Sequence, residues 1–206
     1  GAAERTDGGL SYFGVALIER LNALGMIVDC AHTGHRTSME AVEVSQAPVI
    51  ISHANARAVY DSRRNIEDDL IRAVATSGGV VGTVGFPSFL TAKGQPSLDQ
   101  FIDDMAYKAD LVGIDHVGIG IDYYLGQHGV ESDADARVRY DRMIADGHWR
   151  EAEYPAPPYM YPKGIETPQT LRNLTARLLE RGFAEDDVRK ILGLNWMRVY
   201  GEVWGG

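Results

Sequence analysis

MIVDCAH at residues 26–32 and PVIISH at residues 48–53 are two short apolar segments, and each of them ends in a histidine. A short apolar run between turn and cap residues predicts a buried strand of a parallel sheet. Residues just past the C-terminal ends of such strands line the site in barrels and open α/β sheets. His32 and His53 therefore fall on one rim, where two imidazoles can bind a metal ion. A structural role is the better interpretation of either histidine alone, and the repeated placement favours the metal site.

The rest of the chain repeats this strand–helix pattern. Strands are predicted at residues 26–31, 48–52, 80–84 and 116–121. Helices are predicted to begin at the capping residues Ser11, Thr37, Asn65 and Ser97, the last with Gln100 at capping-box spacing, and the first helix is predicted to end at Gly25. A helix followed by four strand–helix units predicts an α/β fold with parallel strands and right-handed crossovers. Four strands are half of an eight-stranded barrel, so this chain alone could not close a barrel and would leave two strand edges open.

Residues 123–166 show no regular pattern and include the tyrosine- and proline-rich run YPAPPYMYP at 154–162. An unpatterned segment of this length is usually a lid, a binding loop or a linker, and a subunit contact is an equally good interpretation. Three further helices are predicted from Thr167-Pro168, from about Glu185 to Leu192, and from Asn195.

Composition limits the class of protein. The 206 residues fit one domain, and the net charge of -9 argues against nucleic acid or an anionic membrane as a partner. The single cysteine, Cys30, excludes an intrachain disulfide and fits a small buried hydrophobe. We find no run long enough to span a membrane and no targeting signal in residues 1–5, which favours a cytoplasmic location without fixing the compartment.

Two further rim positions could carry chemistry. Asp122 ends the fourth strand, where a carboxylate beside a metal-activated water could take its proton and pass it to a leaving amine. Alone, it would better be interpreted as a cap of the following loop. Arg63-Arg64 follows the second histidine, and an arginine fork suits a substrate carboxylate, although a solvated basic pair is equally plausible.

Two histidines do not complete a hydrolytic metal site, which usually has three protein ligands. The sequence contains no His-x-His, His-x-Asp, HExxH or CxxC spacing. Either the remaining ligands lie elsewhere or the protein holds no metal.

Longer segments resemble a known family. They are GLSYFG (9–14), LNALGMIVDCAH (21–32), APVIISHANARAV (47–59), SRRN (62–65), GGVVGTVGF (78–86), ADLVGIDHVGIGID (109–122) and DDVRKILGLNWMRV (186–199). In order and spacing they closely resemble the renal or membrane dipeptidases, which are zinc enzymes built on an amidohydrolase-type (β/α)8 TIM barrel. The resemblance implies that residues 1–206 are the C-terminal half of one barrel domain and supply strands five to eight with their helices.

The resemblance also implies roles for single residues. His32 and His53 match the histidines that hold the second ion of a zinc pair, and Arg64 matches the arginine that binds the substrate's terminal carboxylate. Asp122 matches the aspartate that handles the proton during cleavage. The implied activity is hydrolysis of a dipeptide by a hydroxide that two zinc ions activate. The remaining ligands would come from an N-terminal half, and a homodimer is expected.

One local departure concerns substrate preference. The family commonly follows its aspartate with Phe-Asp-Gly, whereas this chain has Tyr123-Tyr124-Leu125-Gly126. Two alternatives to a dipeptidase stay open. The first is a related amidohydrolase that acts on another amide or a lactone, and the second is a non-catalytic half-barrel module.

Overall fold

The computed structural model describes residues 1–2, 4–123, 132–151, 154, 156–157 and 160–205. The helices and strands follow one another as α1 (Tyr12–Ala23), β1 (Val28–Asp29), α2 (His35–Val44), β2 (Val49–Ile50), α3 (Asp68–Thr76), β3 (Val81–Thr83), α4 (Leu98–Val112), β4 (Val117–Ile119), α5 (Asp133–Ala145), α6 (Arg172–Glu180), α7 (Glu185–Arg189) and α8 (Asn195–Trp204). A π-helical turn, Lys190–Leu194, joins α7 to α8. Within these residues, no helix is both long and apolar enough to cross a membrane.

The four strands run parallel and lie side by side in chain order. β1 pairs with β2 and β3 pairs with β4, both in parallel. A parallel bridge between Ile51 and Val81 joins the two pairs, and the Ile51 amide donates to the Val80 carbonyl at 3.0 Å. The predicted parallel α/β arrangement is therefore confirmed. In the part of the chain that the structure describes, the strands form an open arrangement and no closed barrel.

One side of the strands, here called the helix side, packs against α3 and α4. Val49, Ile51 and Val81 point to this side and form one apolar cluster with Leu70, Ile71 and Val74 of α3. A second cluster joins Val117 of β4 to α4, α6 and the π-helical turn. Burying one such aliphatic side chain contributes about 1.5–3 kcal/mol to stability. These clusters are the main apolar core of the fold.

The opposite side, here called the inner side, carries Ile50 and Val80 packed against α8 and, nearer the strand ends, small residues. A Cβ atom at Gly120 would lie 1.9 Å from the carbonyl oxygen of Ser52, and one at Gly82 would lie 2.1 Å from the same oxygen. At Gly118 it would meet the Trp196 indole nitrogen at 2.5 Å. Glycine is therefore required at positions 82 and 120, because the Ser52 carbonyl approaches the backbone directly there. Above them lies a cavity of about 360 Å³ that reaches the strand ends.

Several predicted helix boundaries are confirmed. The Ser11 hydroxyl accepts a hydrogen bond from the Gly14 amide at the start of α1, and Gly25 follows α1 with a φ of 66°. Ser97 and Gln100 form the expected reciprocal capping box of α4. Local capping patterns thus predicted these three ends correctly.

Two predicted caps are wrong. Thr37 does not begin α2: the helix begins at His35, and the carboxylate of Asp7 accepts the amide hydrogen bonds of Arg36 and Thr37. Asn65 does not cap α3, which begins at Asp68. Its side-chain amide instead donates to the carbonyl oxygen of Tyr60, in the loop after β2, and to that of Phe89, in the loop after β3.

The expectation of no regular structure over residues 123–166 is also wrong, because α5 lies inside this segment. Ser132 caps α5, whose buried residues Ala136 and Tyr140 pack against Trp149. Residues 124–131, 152–153, 155 and 158–159, with His128 and part of the tyrosine- and proline-rich run, lie outside the described residues. Further on, Thr167-Pro168 forms a turn, and α6 begins four residues later, at Arg172.

Candidate functional site

The two predicted metal ligands lie together at the C-terminal ends of β1 and β2. The ring centroids of His32 and His53 are 4.9 Å apart, and the rings are inclined by 61°. Parallel pairing of β1 with β2 brings the two strand ends side by side. The rim that the sequence pattern predicted is therefore present in the fold.

His53 presents one ring nitrogen that is satisfied and one that is not. Its Nδ1 atom lies 2.8 Å from the Ser52 hydroxyl. Its Nε2 atom is buried and has no hydrogen-bond partner among the described residues. A buried polar atom without a partner is uncommon and needs an explanation, such as an ion. This donor set fits a cation that prefers imidazole nitrogen.

His32 is held in the neutral form. Its surroundings lower its pKa to about 4, first because protein displaces water around the ring, although the residue keeps some exposure, and then because Arg64 and His53 add positive charge. Asp122 and Asp29 act in the opposite direction. Neutral imidazole is the form that binds metal ions.

Backbone strain occurs at two of the predicted site residues. His32 and Asp122 each have a φ of 60°, and they are the two non-glycine residues with positive φ in the part of the chain that the structure describes. Residues other than glycine rarely adopt this backbone conformation, and those that do cluster at functional sites. The buried Tyr161 donates a hydrogen bond to the Asp122 carbonyl oxygen and helps to hold this conformation.

Arg64 is buried rather than solvated, with 5% of its surface exposed. Its guanidinium lies 5.2 Å from the centre of the Phe89 ring, and its side chain bonds to Tyr154. Burial lowers the pKa of Arg64, whereas Tyr154 and Asp122 favour its charged form. Its Nε atom has no partner among the described residues. The interpretation of Arg64 as a solvated basic residue is therefore wrong.

The predicted site residues thus lie at one rim: His53 and Asp122 line the same cavity, and the charges of Arg64 and Asp122 both act on His32. The sequence did not reveal the residues that hold these side chains in place. No local pattern marks Phe89 and Tyr154 as neighbours of Arg64, or Tyr161 as a partner of Asp122. Among the described residues, no group of three or more histidine, cysteine or acidic side chains is arranged to hold a metal ion. His32 and His53 are therefore at most part of a ligand set.

Two further histidines, His116 and His35, have partners of their own. His116 bonds to the Gly79 carbonyl at 2.8 Å at the start of β4, in agreement with a structural role at the opposite end of the strands. His35 pairs with Asp69 at 3.3 Å on the surface.

Sequence comparison now identifies the family. The family model described as membrane dipeptidase (peptidase family M19) matches residues 1–153 and 157–204. The chain belongs to family M19. Curated relatives include dipeptidase AclJ of Aspergillus oryzae, 31% identical over 202 residues, and an uncharacterized dipeptidase of Schizosaccharomyces pombe, 30% identical over 197 residues. They cover 97% and 94% of this chain, which spans 40% of each relative.

Solved structures share the fold of this chain. An amidohydrolase from Pseudomonas aeruginosa is 35% identical, with a TM-score of 0.84 over 98% of this chain and 60% of its own. A metallopeptidase from Rhodobacter sphaeroides, solved with a phosphinate mimic of the dipeptide L-Ala-D-Ala, is 26% identical, with a TM-score of 0.75. That match covers 97% of this chain and 48% of the other. This M19 chain therefore shares its fold with metal-dependent hydrolases.

Proposed function

We propose that this M19 chain supplies strands five to eight of a (β/α)8 barrel, as the C-terminal half of a zinc dipeptidase. The four parallel strands in chain order and their open arrangement support this. The chain also spans only 40% of its curated relatives. An N-terminal half of the barrel would cover the inner side and supply the remaining metal ligands. We further propose that the intact protein is a homodimer.

In this proposal, His32 and His53 hold one zinc ion of a pair. The observation that carries the proposal is the buried Nε2 atom of His53, which lacks a partner among the described residues. The centroid of the His53 ring lies 4.9 Å from that of the His32 ring. Bound zinc supplies Lewis-acid polarisation of the scissile carbonyl and acidifies the attacking water. The low pKa of His32, about 4, keeps its ring neutral and able to coordinate.

Arg64 binds the free carboxylate of the dipeptide. Its guanidinium is fixed against Phe89 and Tyr154, so little side-chain entropy is lost on binding. Charge-assisted bonds from an arginine fork to a carboxylate are stronger than neutral ones. Because Arg64 lies close to the histidine pair, it selects substrates that end one residue beyond the scissile bond.

Asp122 handles the proton. Its carboxylate accepts a proton from the attacking water and donates it to the nitrogen of the leaving amine, so that a neutral amine departs. The left-handed backbone of Asp122, held by Tyr161, sets the position of this carboxylate relative to His32 and Arg64.

An assay of the intact protein tests the proposal. We expect about two zinc ions per chain, as for two-metal hydrolases. We also expect hydrolysis of dipeptides with a free carboxylate, and much slower hydrolysis of the same dipeptides with an amidated C-terminus. A protein that binds no zinc and cleaves no dipeptide would contradict the proposal and favour a non-catalytic half-barrel module.

The second candidate is an amidohydrolase that acts on another amide or a lactone. The 35% identical Pseudomonas protein, which is named an amidohydrolase, favours it. Acylated amino acids and lactones in the same panel separate the two candidates. Faster turnover of either class than of any dipeptide would support the second.

A further inference from the structure

The carboxylate of Asp29 lies where the two histidine-bearing strand ends meet. Its Oδ1 atom accepts hydrogen bonds from the Ala31 amide at 2.9 Å and from the Ser52 amide at 3.0 Å. Ala31 immediately precedes His32, and Ser52 immediately precedes His53. One oxygen atom therefore ties together the backbone on both sides of the site.

Ser52 is held by all three of its polar groups. Its amide donates to Asp29, and its hydroxyl lies 2.8 Å from Nδ1 of His53. Its carbonyl oxygen packs so closely against Gly82 and Gly120 that a Cβ atom at either glycine would collide with it. Ser52 cannot shift without moving the neighbouring strands, so its hydroxyl is fixed relative to the His53 ring.

We propose that Asp29 and Ser52 are positioning residues for the histidine pair. Asp29 sets the separation of the two strand ends, and Ser52 accepts the Nδ1–H of His53, so that the lone pair of Nε2 faces the site. The opposite tautomer would bury an Nε2–H donor without an acceptor among the described residues, and orphaned buried N–H groups are rare. Metal-binding histidines usually have such a partner on the second nitrogen, which fixes tautomer and ring orientation.

The role of zinc in this inference rests on the proposed function, whereas the tautomer of His53 does not. A competing explanation is that Asp29 only stabilises the turn after β1, because Asp side chains often bond to the backbone two residues on. That explanation predicts a loss of stability without any change at the His53 ring. The two explanations therefore differ in a measurable way.

The first test replaces Ser52 in the intact protein. We expect Ser52→Ala to weaken zinc affinity about 10–100-fold, the usual cost of losing such a partner, in a competition titration with a chelator. Ser77→Ala is the matched control, because the Ser77 hydroxyl accepts the Val49 amide at the opposite end of β2. The control should melt at a lower temperature and keep wild-type zinc affinity.

The second test compares two variants of Asp29. The amide oxygen of Asp29→Asn can still accept both backbone hydrogen bonds, so zinc affinity should stay near the wild-type value. Asp29→Ala lacks the acceptor, and its affinity should fall about tenfold. Wild-type affinity in Asp29→Ala would overturn the role of Asp29, even if the variant melts at a lower temperature.

The third readout is the His53 tautomer in the metal-free protein, measured from its ring nitrogens in long-range ¹H–¹⁵N spectra. Wild type should show the Nδ1–H form, and Ser52→Ala should show a mixture. If wild type has a single His53 tautomer and Ser52→Ala loses it, the positioning role is supported, whether or not the protein binds zinc. If the intact protein binds no zinc, the dipeptidase proposal is contradicted. Identical spectra and identical zinc affinity for Ser52→Ala and wild type would overturn the inference.

Discussion

The two sides of the four strands differ in what they contact. The helix side is apolar and closed, and Val49, Ile51 and Val81 are at most 1% exposed there. The inner side has a smaller apolar cluster of Ile50 and Val80 with α8, and it carries Ser52 and close-packed glycines beneath a cavity, with the candidate site at its rim. The difference indicates that stability comes mainly from the helix side. A rigid support of this kind allows strained backbone to persist at the rim.

One polar cluster connects the helix side to the rim. Asp104 and Lys108 of α4 form an ion pair at 2.7 Å, and both side chains are 0% exposed. Asp104 also accepts the Ala56 amide and the Thr83 hydroxyl, and Lys108 donates to the Ala54 carbonyl. Burial lowers the pKa of Lys108, and the adjacent carboxylate opposes this shift. The cluster therefore holds the loop that follows His53.

The largest expected effect is on stability. Asp104→Ala removes the charge partner of the buried Lys108 and the acceptor of the Ala56 amide and the Thr83 hydroxyl. We expect the free energy of unfolding to fall by about 3–5 kcal/mol in chemical denaturation. Asp103→Ala is the control, because its partner Arg181 lies at the surface and such pairs contribute about 0–1 kcal/mol. Similar losses in both variants would contradict the contrast between a buried and a surface ion pair.

The next largest effect is expected on turnover, from a change at the rim. We expect Asp122→Asn to lower kcat by about 10²–10⁴-fold, the usual contribution of a general acid–base residue. Asparagine tolerates positive φ, so the fold and the zinc content should be preserved. Zinc analysis, melting temperature and steady-state kinetics are the measurements. An equal loss of zinc and turnover would sink the proton-transfer role of Asp122.

A smaller effect is expected at the proposed carboxylate clamp. Arg64→Met should lower kcat/KM for dipeptides about 10–100-fold, because a hydrogen bond to a charged group contributes about 1.5–3 kcal/mol. Activity on C-terminally amidated dipeptides should change little. The control is Arg72→Met on α3, whose guanidinium bonds to the Leu111 carbonyl on the helix side. Equal losses on free and amidated substrates would contradict the role of Arg64.

The smallest effect concerns a surface cap and depends on pH. Burial tends to raise the pKa of Asp7, but bonds from the Thr37 hydroxyl and from backbone amides lower it below 3.8 overall. A folded-state pKa below the unfolded value stabilises the protein at pH values above the unfolded pKa, and this contribution is lost as pH falls through the folded-state pKa. Asp7→Ala should therefore cost about 1 kcal/mol at pH 7 and less at pH 3, measured by denaturation. An equal loss of stability at pH 7 and at pH 3 would contradict this expectation.

The sequence predicted the rim because the C-terminal ends of parallel strands lie at the same edge of a sheet. Once the apolar runs were assigned to strands, His32, His53 and Asp122 had to fall at C-terminal ends. It could not predict contacts between residues far apart in the chain. Asp7 caps α2 from 30 residues before Thr37, and Tyr154 meets Arg64 across 90 residues. No local pattern contains that information.

The helix α5 was missed for a different reason. It buries only a narrow stripe, with Ala136 and Tyr140 one turn apart, and its remaining surface is strongly charged. Ion pairs at i,i+4 spacing, such as Arg137 with Asp141, add only a few tenths of a kcal/mol each. Hydrophobic periodicity is weak in such a helix, whereas α3, with Leu70, Ile71 and Val74 inward, shows it clearly.

The left-handed backbone at His32 and Asp122 has a consequence for protein engineering. Glycine would relieve strain of about 1–2 kcal/mol at either position. A screen for heat tolerance alone would therefore reward changes at these two positions, while the proposed activity would be lost. A variant library made to raise the thermal stability of this protein should keep His32 and Asp122 unchanged and introduce substitutions on the helix side.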